Sequence, residues 1–126
     1  MERKKILIVD DEKDLLELLA ERFDDLHEYE ISVASSGAEF RNSVLHQKPD
    51  LIILDIMLGD SNGAILYDEL CAEGLDDQIP VIFLSALNEG HPNEHARPGR
   101  RYSLMTKPFI FEELFAEIKC LTTKAA

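Results

Sequence analysis

The sequence predicts an α/β domain, with helices wound on both faces of a parallel sheet. Three observations lead there. Strand-like and helix-like patterns alternate along all 126 residues. Three strand candidates, Ile6-Leu7-Ile8-Val9, Leu51-Ile52-Ile53-Leu54 and Val81-Ile82-Phe83-Leu84, are continuous apolar runs, as expected of strands covered on both faces. These three runs stop at Asp10-Asp11, Asp55 and Ser85, and the segment Tyr102 to Thr106 stops at Lys107-Pro108; open parallel sheets build their sites at that carboxyl edge.

The elements follow in order. A first strand spans 5–9. A first amphipathic helix follows, with Leu15, Leu18, Leu19, Phe23 and Leu26 on its apolar stripe and Glu17 and Glu21 off it. A second strand spans 30–34. Ser36-Gly37-Ala38-Glu39 has capping-box spacing and opens a second helix. That helix must end before Lys48-Pro49, because the residue before proline resists helical geometry. The third strand spans 51–54, a third helix runs from Gly63 to Cys71, and the fourth strand spans 80–84. The segment from Asn88 to Arg101 carries Gly90, Pro92, Pro98 and Gly99, so at most a turn or two of helix fits between the prolines. A fifth strand at 102–106 precedes a final helix marked by Phe111, Leu114, Phe115, Ile118 and Leu121. Right-handed crossovers make this a doubly wound (βα)5 domain over residues 1–126. The expected strand order is the flavodoxin-like 2-1-3-4-5, with a short or irregular fourth helix. Strands 1, 3 and 4 are neighbours in that order, which gathers Asp10, Asp11, Asp55 and Ser85.

Composition narrows the function. The length is that of one domain, and 45% hydrophobic residues is ordinary for a globular protein. No apolar run is long enough to cross a bilayer, and the run after Met1-Glu2-Arg3-Lys4-Lys5 is too short for a signal-peptide core. A cytoplasmic protein without membrane insertion is expected. Cys71 and Cys120 form no metal or disulfide pattern and are expected to be buried free thiols. A net charge of −12 argues against nucleic-acid binding, which needs a basic stripe; most of that acidity serves solubility.

The polar groups suit phosphoryl chemistry. Three carboxylates at one edge repel one another, and a divalent cation relieves the conflict; hard oxygen ligands suit Mg²⁺. Asp10 and Asp11 would hold the metal, directly or through water, and Asp55 would give it one oxygen. Its other oxygen can attack phosphorus and form an acyl phosphate. Lys107 would neutralise a transferred oxygen and Ser85 would donate to another. Each residue also has a bland role. Asp10-Asp11-Glu12 could load a helix start with negative charge, Asp55 could cap a turn, Ser85 could bond local backbone, Lys107 could be a solvated charge and Pro108 a helix-start proline. Their joint occurrence, each just after a strand, favours the phosphoryl site.

On those residues the chain resembles a two-component response-regulator receiver domain over nearly its whole length. The signals are Val9-Asp10-Asp11-Glu12, Leu54-Asp55-Ile56-Met57-Leu58 with Gly63 eight residues after the aspartate, Phe83-Leu84-Ser85-Ala86, and Thr106-Lys107-Pro108-Phe109. The resemblance implies that Asp55 accepts phosphate from a histidine kinase or phosphotransfer protein of a two-component or phosphorelay pathway. It implies Mg²⁺ held by Asp10, Asp11, Asp55 and the backbone carbonyl of Met57, and a cis Lys107-Pro108 bond. Phosphorylation would draw Ser85 inward and shift the face made by the fourth helix, fifth strand and fifth helix. The protein would be a switch acting through altered protein contacts. It would be no enzyme apart from catalysing its own phosphorylation and dephosphorylation, and its downstream partner is unknown.

Some positions depart from the family pattern. The switch aromatic, three residues before the lysine, is Leu104, and Tyr102 on the same strand face is its possible substitute. Gly59 replaces a proline and loosens its loop. Met57 and Leu87, two residues after Asp55 and Ser85, could hinder an attacking water and prolong the phosphorylated state. Arg97, Arg100 and Arg101 form a solvated loop or a docking surface for an acidic partner. The chain ends soon after the last helix, so a stand-alone receiver is expected. The alternatives are a phosphorylation-independent receiver-like interaction module, and a phosphohydrolase. The second would want an acid where Met57 stands.

Overall fold

The computed structural model describes residues 3–86 and 102–123. The segment expected to hold the irregular fourth helix, with Leu87, Pro92, Pro98, Arg97, Arg100 and Arg101, lies outside the described residues. The order is β1 (Lys4–Val9), α1 (Lys13–Leu26), β2 (Tyr29–Ala34), α2 (Gly37–His46), β3 (Leu51–Asp55), β4 (Met57–Leu58), β5 (Ser61–Asn62), α3 (Gly63–Ala72), β6 (Val81–Ser85), β7 (Tyr102–Thr106) and α4 (Phe111–Thr123).

Five strands form one parallel sheet in the order β2-β1-β3-β6-β7. Counted along the chain without the small hairpin, this is the expected 2-1-3-4-5. The register levels the carboxyl edge: Val9 sits beside Leu54, Asp55 beside Leu84, and Ser85 beside Thr106. Residues that follow these strands therefore emerge together.

Strand alternation sorts the core into two layers. Leu7, Val9, Ile52, Leu54 and Phe83 face Phe40 of α2 and Leu66, Tyr67 and Leu70 of α3. Ile6, Ile8, Ile53, Ile82 and Leu84 face Leu16, Leu19 and Phe23 of α1 and Leu114 and Ile118 of α4. Phe23 is fully buried and meets Tyr29 and Phe111 edge-to-face, with ring centroids 5.6 and 5.3 Å away.

The helices start and stop for local reasons. In the capping box at α2, Ser36 Oγ accepts the Glu39 N–H at 3.1 Å, while Glu39 Oε1 reaches back to the N–H and hydroxyl of Ser35 rather than of Ser36. The helix ends at His46, before Lys48-Pro49 as expected. Asn62 Oδ1 caps α3 through the Ile65 N–H.

Three details correct the sequence reading. In α1 the buried stripe is Leu16, Leu19 and Phe23, while Leu18 is 53% exposed. Positions 16, 19 and 23 follow the helical period more closely, and Leu15 and Leu18 turn toward a groove. Cys120 is exposed, because its helix buries another face, and Cys71 is half-buried at the edge of the core. The Met57–Asn62 hairpin, pairing Met57 with Asn62 and Leu58 with Ser61, has no expected counterpart, because two-residue strands carry no readable period.

Candidate functional site

Asp10 follows β1 and is fully buried, Asp55 closes β3 at 4% exposure, and Ser85 closes β6 at 5%. These are the buried polar residues among those described. Asp11 is exposed. One carboxylate oxygen each from Asp10, Asp11 and Asp55 lies within 4.8 Å of the others. Lys107, just past β7, points its ammonium into the group: Nζ lies 2.7 Å from Asp10 Oδ2, 3.0 Å from Glu12 Oε1 and 3.3 Å from Asp55 Oδ2. The expected convergence of Asp10, Asp11, Asp55, Ser85 and Lys107 on one edge is thus present.

The carboxylates of Asp10 and Asp55 are oriented by backbone. Asp10 Oδ1 accepts the Glu12 N–H at 2.9 Å, which settles the loop into α1. Asp55 Oδ1 accepts the Met57 N–H at 3.2 Å, and Oδ2 takes the Lys107 ammonium. Asp10 Oδ2 is buried and receives no aligned hydrogen bond, although the ammonium is close. A buried carboxylate oxygen in that state is costly without further charge compensation. Burial pushes the Asp55 carboxyl up, the Asp10 charge adds to this, and Lys107 and the Met57 N–H only partly offset it, leaving its pKa at about 6. Burial alone would push the Lys107 ammonium down, but the carboxylates of Asp10, Glu12 and Asp55 outweigh it and hold its pKa above the ordinary lysine range.

The loop after Asp55 is shaped by a glycine. A Cβ on Gly63 would lie 2.2 Å from the Asp55 carbonyl oxygen, and the Gly63 N–H donates to Ile56 at 2.6 Å. Any larger residue would displace the backbone that carries the aspartate. This is a physical reason for the glycine eight residues on. Gly59 stands near Asp11, with its would-be Cβ 3.5 Å from Oδ2.

Other site positions behave less simply. Ser85 Oγ donates to the carbonyl of Ala86 at 3.0 Å, the local backbone role weighed for it. Tyr102 meets Phe83 edge-to-face at 6.1 Å, and Phe83 meets Tyr67 in the same way. Leu104 is 38% exposed. The Lys107-Pro108 bond is cis. Met57 is 53% exposed beside Asp55. Glu12 as a partner of Lys107 is an addition of the structure; the run Asp10-Asp11-Glu12 was its signal, read there as helix charge. A groove of about 610 Å³ opens beside Lys107, between α1 and the start of α4, floored by Leu15, Leu18, Leu19, Phe109 and Phe111. No helix among the described residues is long and apolar enough to cross a membrane.

Comparison with known proteins agrees with this geometry. The family model for the response regulator receiver domain matches residues 6–119. The transcriptional regulatory protein PrrA of Mycobacterium tuberculosis is 33% identical over 117 residues, covering 93% of this chain and 49% of that protein. The alkaline phosphatase synthesis transcriptional regulatory protein PhoP of Bacillus subtilis is 32% identical over 122 residues, covering 97% and 50%. The chain thus spans about half the length of these relatives. A two-component response regulator from Clostridium difficile superposes with a TM-score of 0.83 at 25% identity, covering 97% of this chain and 98% of that one.

Proposed function

The chain belongs to the response regulator receiver family, and from that premise we propose that Asp55 is the phosphoacceptor of a Mg²⁺-dependent signalling switch. The observation that carries this reading is the meeting of Asp10, Asp11, Asp55 and Lys107 in one pocket. The donor set fits the metal: three carboxylate oxygens converge, and one buried oxygen of Asp10 lacks a hydrogen bond. Asp10, Asp11, Asp55 and the backbone carbonyl of Met57 would hold it. Bound there, Mg²⁺ supplies positive charge that lets clustered carboxylates and phosphoryl oxygens share one site.

The protein's own groups do the rest. An Asp55 oxygen attacks phosphorus as the bond from phosphorus to the donor's imidazole nitrogen breaks, giving an acyl phosphate and a free histidine. Lys107 moves from the carboxylates to a phosphoryl oxygen, and Ser85 turns its hydroxyl from Ala86 to another. The apolar groove beside Lys107, with exposed Leu18 at its side, suits a donor helix that must bring its histidine to Asp55. Leu104 and Tyr102 then pass the change on, with Tyr102 already packed against Phe83. The donor is a histidine kinase or phosphotransfer protein, in the cytoplasm, and the output is an altered protein contact.

The test is incubation with acetyl phosphate and Mg²⁺, followed by intact mass. One added phosphoryl group is expected, absent in Asp55→Asn and absent when the metal is chelated. Modification that survives Asp55→Asn would overturn the assignment.

A further inference from the structure

The hairpin after Asp55 is held at its tip by a neighbouring helix. Asp60, in the turn between β4 and β5, accepts the Gly37 N–H at 3.0 Å and the Ser61 hydroxyl at 3.1 Å. Gly37 is the first residue of α2, so its N–H is among those a helix leaves without an internal partner. Ser36 takes the Glu39 N–H from the same turn. The Gly37 N–H, above all, holds the Asp60 carboxyl below the usual carboxylate range. The fit is close: a Cβ on Gly37 would stand 2.3 Å from Ser61 Oγ and 3.2 Å from Asp60 Oδ1.

The loop so held is the one that follows the phosphoacceptor. Its start is tied to the site by the Met57 N–H on Asp55 Oδ1 and by the Ile56 N–H on the Leu84 carbonyl. Its end is tied by the Gly63 N–H on Ile56. Its tip has the Asp60 contact with α2. The strands are only two residues long, and beside the Met57 N–H bond and the buried Leu58 the tip contact is a further restraint on the hairpin that carries Met57.

We propose that Asp60 is a positioning residue for the metal site: by binding the start of α2, it fixes the hairpin whose Met57 carbonyl joins Asp10, Asp11 and Asp55. This rests on the reading of the site given above. Asp60 touches none of the reacting groups and acts through the backbone of residues 57–62. The competing role is simple capping of α2, and Ser36 separates the two. Ser36 caps the same helix turn but makes no contact with the hairpin through its side-chain bond.

The experiment titrates the whole ¹⁵N-labelled chain with MgCl₂ and follows the amide shifts of Asp11, Met57 and Gly59, with a thermal melt of each variant. A lost cap-like contact, expressed through the fraction of molecules with the hairpin in place, should weaken Mg²⁺ binding by roughly three- to tenfold in Asp60→Ala. Asp60→Asn keeps an oxygen for the Gly37 N–H and should recover most of that affinity. Ser36→Ala should stay within about twofold of wild type, although it destabilises α2. Phosphorylation by acetyl phosphate at saturating Mg²⁺ should be little changed in Asp60→Ala, with the half-saturating Mg²⁺ raised by the same factor. Unchanged affinity in Asp60→Ala, an equal loss in Ser36→Ala, or no recovery in Asp60→Asn would each overturn the proposal. A wild-type chain that binds no Mg²⁺ would instead overturn the metal site itself, and this inference with it.

Discussion

Asp55→Asn should make the metal-free protein more stable above pH 6, although it removes the residue on which the proposed function turns. The buried carboxyl is raised from 3.8 to about 6 by desolvation and by Asp10. Between those values the folded chain holds a proton that the unfolded chain has released. The advantage of the protonated form is therefore complete below pH 3.8 and is lost as pH rises through about 6. Above that, wild type bears the cost of an ionised group in an acidic pocket. About two pKa units at ~1.4 kcal/mol each set an upper bound near 3 kcal/mol. Solvent reaching the rim of the pocket, where Asp11 is exposed, reduces this to roughly 1–2 kcal/mol. Asparagine keeps an oxygen for the Met57 N–H, and Lys107 keeps Asp10 and Glu12, so little is lost in return.

Urea melts of both proteins in EDTA across pH 4–8 measure the difference. It should be near zero at pH 4, grow through pH 6 and level off, with a melting temperature about 4–8 °C higher for the variant at pH 8. Added Mg²⁺ should then stabilise wild type by about 1.4 kcal/mol at ten times its dissociation constant, and close most of the gap. A difference that does not vary with pH, or a variant less stable than wild type at pH 8, would refute the electrostatic account of the site.

Further outcomes follow from individual contacts. Lys107→Ala removes the cation that, among the described residues, pairs with Asp10 and Asp55 and should destabilise the metal-free chain by roughly 3 kcal/mol, with Mg²⁺ restoring much of it; a melt unaffected by the substitution would count against the charge network. Gly63→Ala places a methyl against the Asp55 carbonyl and should cost about 1–3 kcal/mol while slowing acetyl phosphate labelling, as urea melts and mass spectrometry would register. Met57→Asn puts a polar group where an exposed methionine now flanks Asp55, and loss of label from the phosphorylated protein should quicken several-fold.

The sheet was legible in the sequence because buried parallel strands leave continuous apolar runs, and Ile6–Val9, Leu51–Leu54 and Val81–Leu84 are such runs. The charged site was legible for the same reason: a strand end is readable, and strand order brings the ends of β1, β3, β6 and β7 together. What could not be read depended on direction rather than position. Leu18 satisfies a helical stripe drawn on paper, yet Leu16 is the residue that meets the sheet. Glu12 is three-dimensionally close to Lys107 across 95 positions, and Asp60 to Gly37 across 23; no local pattern encodes either contact. Cys120 lies on a helix whose buried face is carried by Leu114, Ile118 and Leu121, which leaves the thiol outside.

The site gathers an excess of negative charge. Asp10, Asp11, Glu12 and Asp55 bring four carboxylates to one ammonium, a formal balance of 1 − 4 = −3 when all are ionised. Under the proposed function a phosphoryl group would add more negative charge, which a divalent cation and a Lys107 turned to phosphoryl oxygens would offset. On the proposed function the same event would turn Ser85 Oγ away from the Ala86 carbonyl, which it now contacts at 3.0 Å. Ala86 directly follows β6, and β7 carries Tyr102 and is followed directly by Lys107. Ligand charge can bias the protein only through contacts that differ between its states. On the proposed function the Lys107 cluster and the Ser85–Ala86 bond would be two such contacts. On the proposed function, a change of charge at Asp55 would therefore act on both contacts.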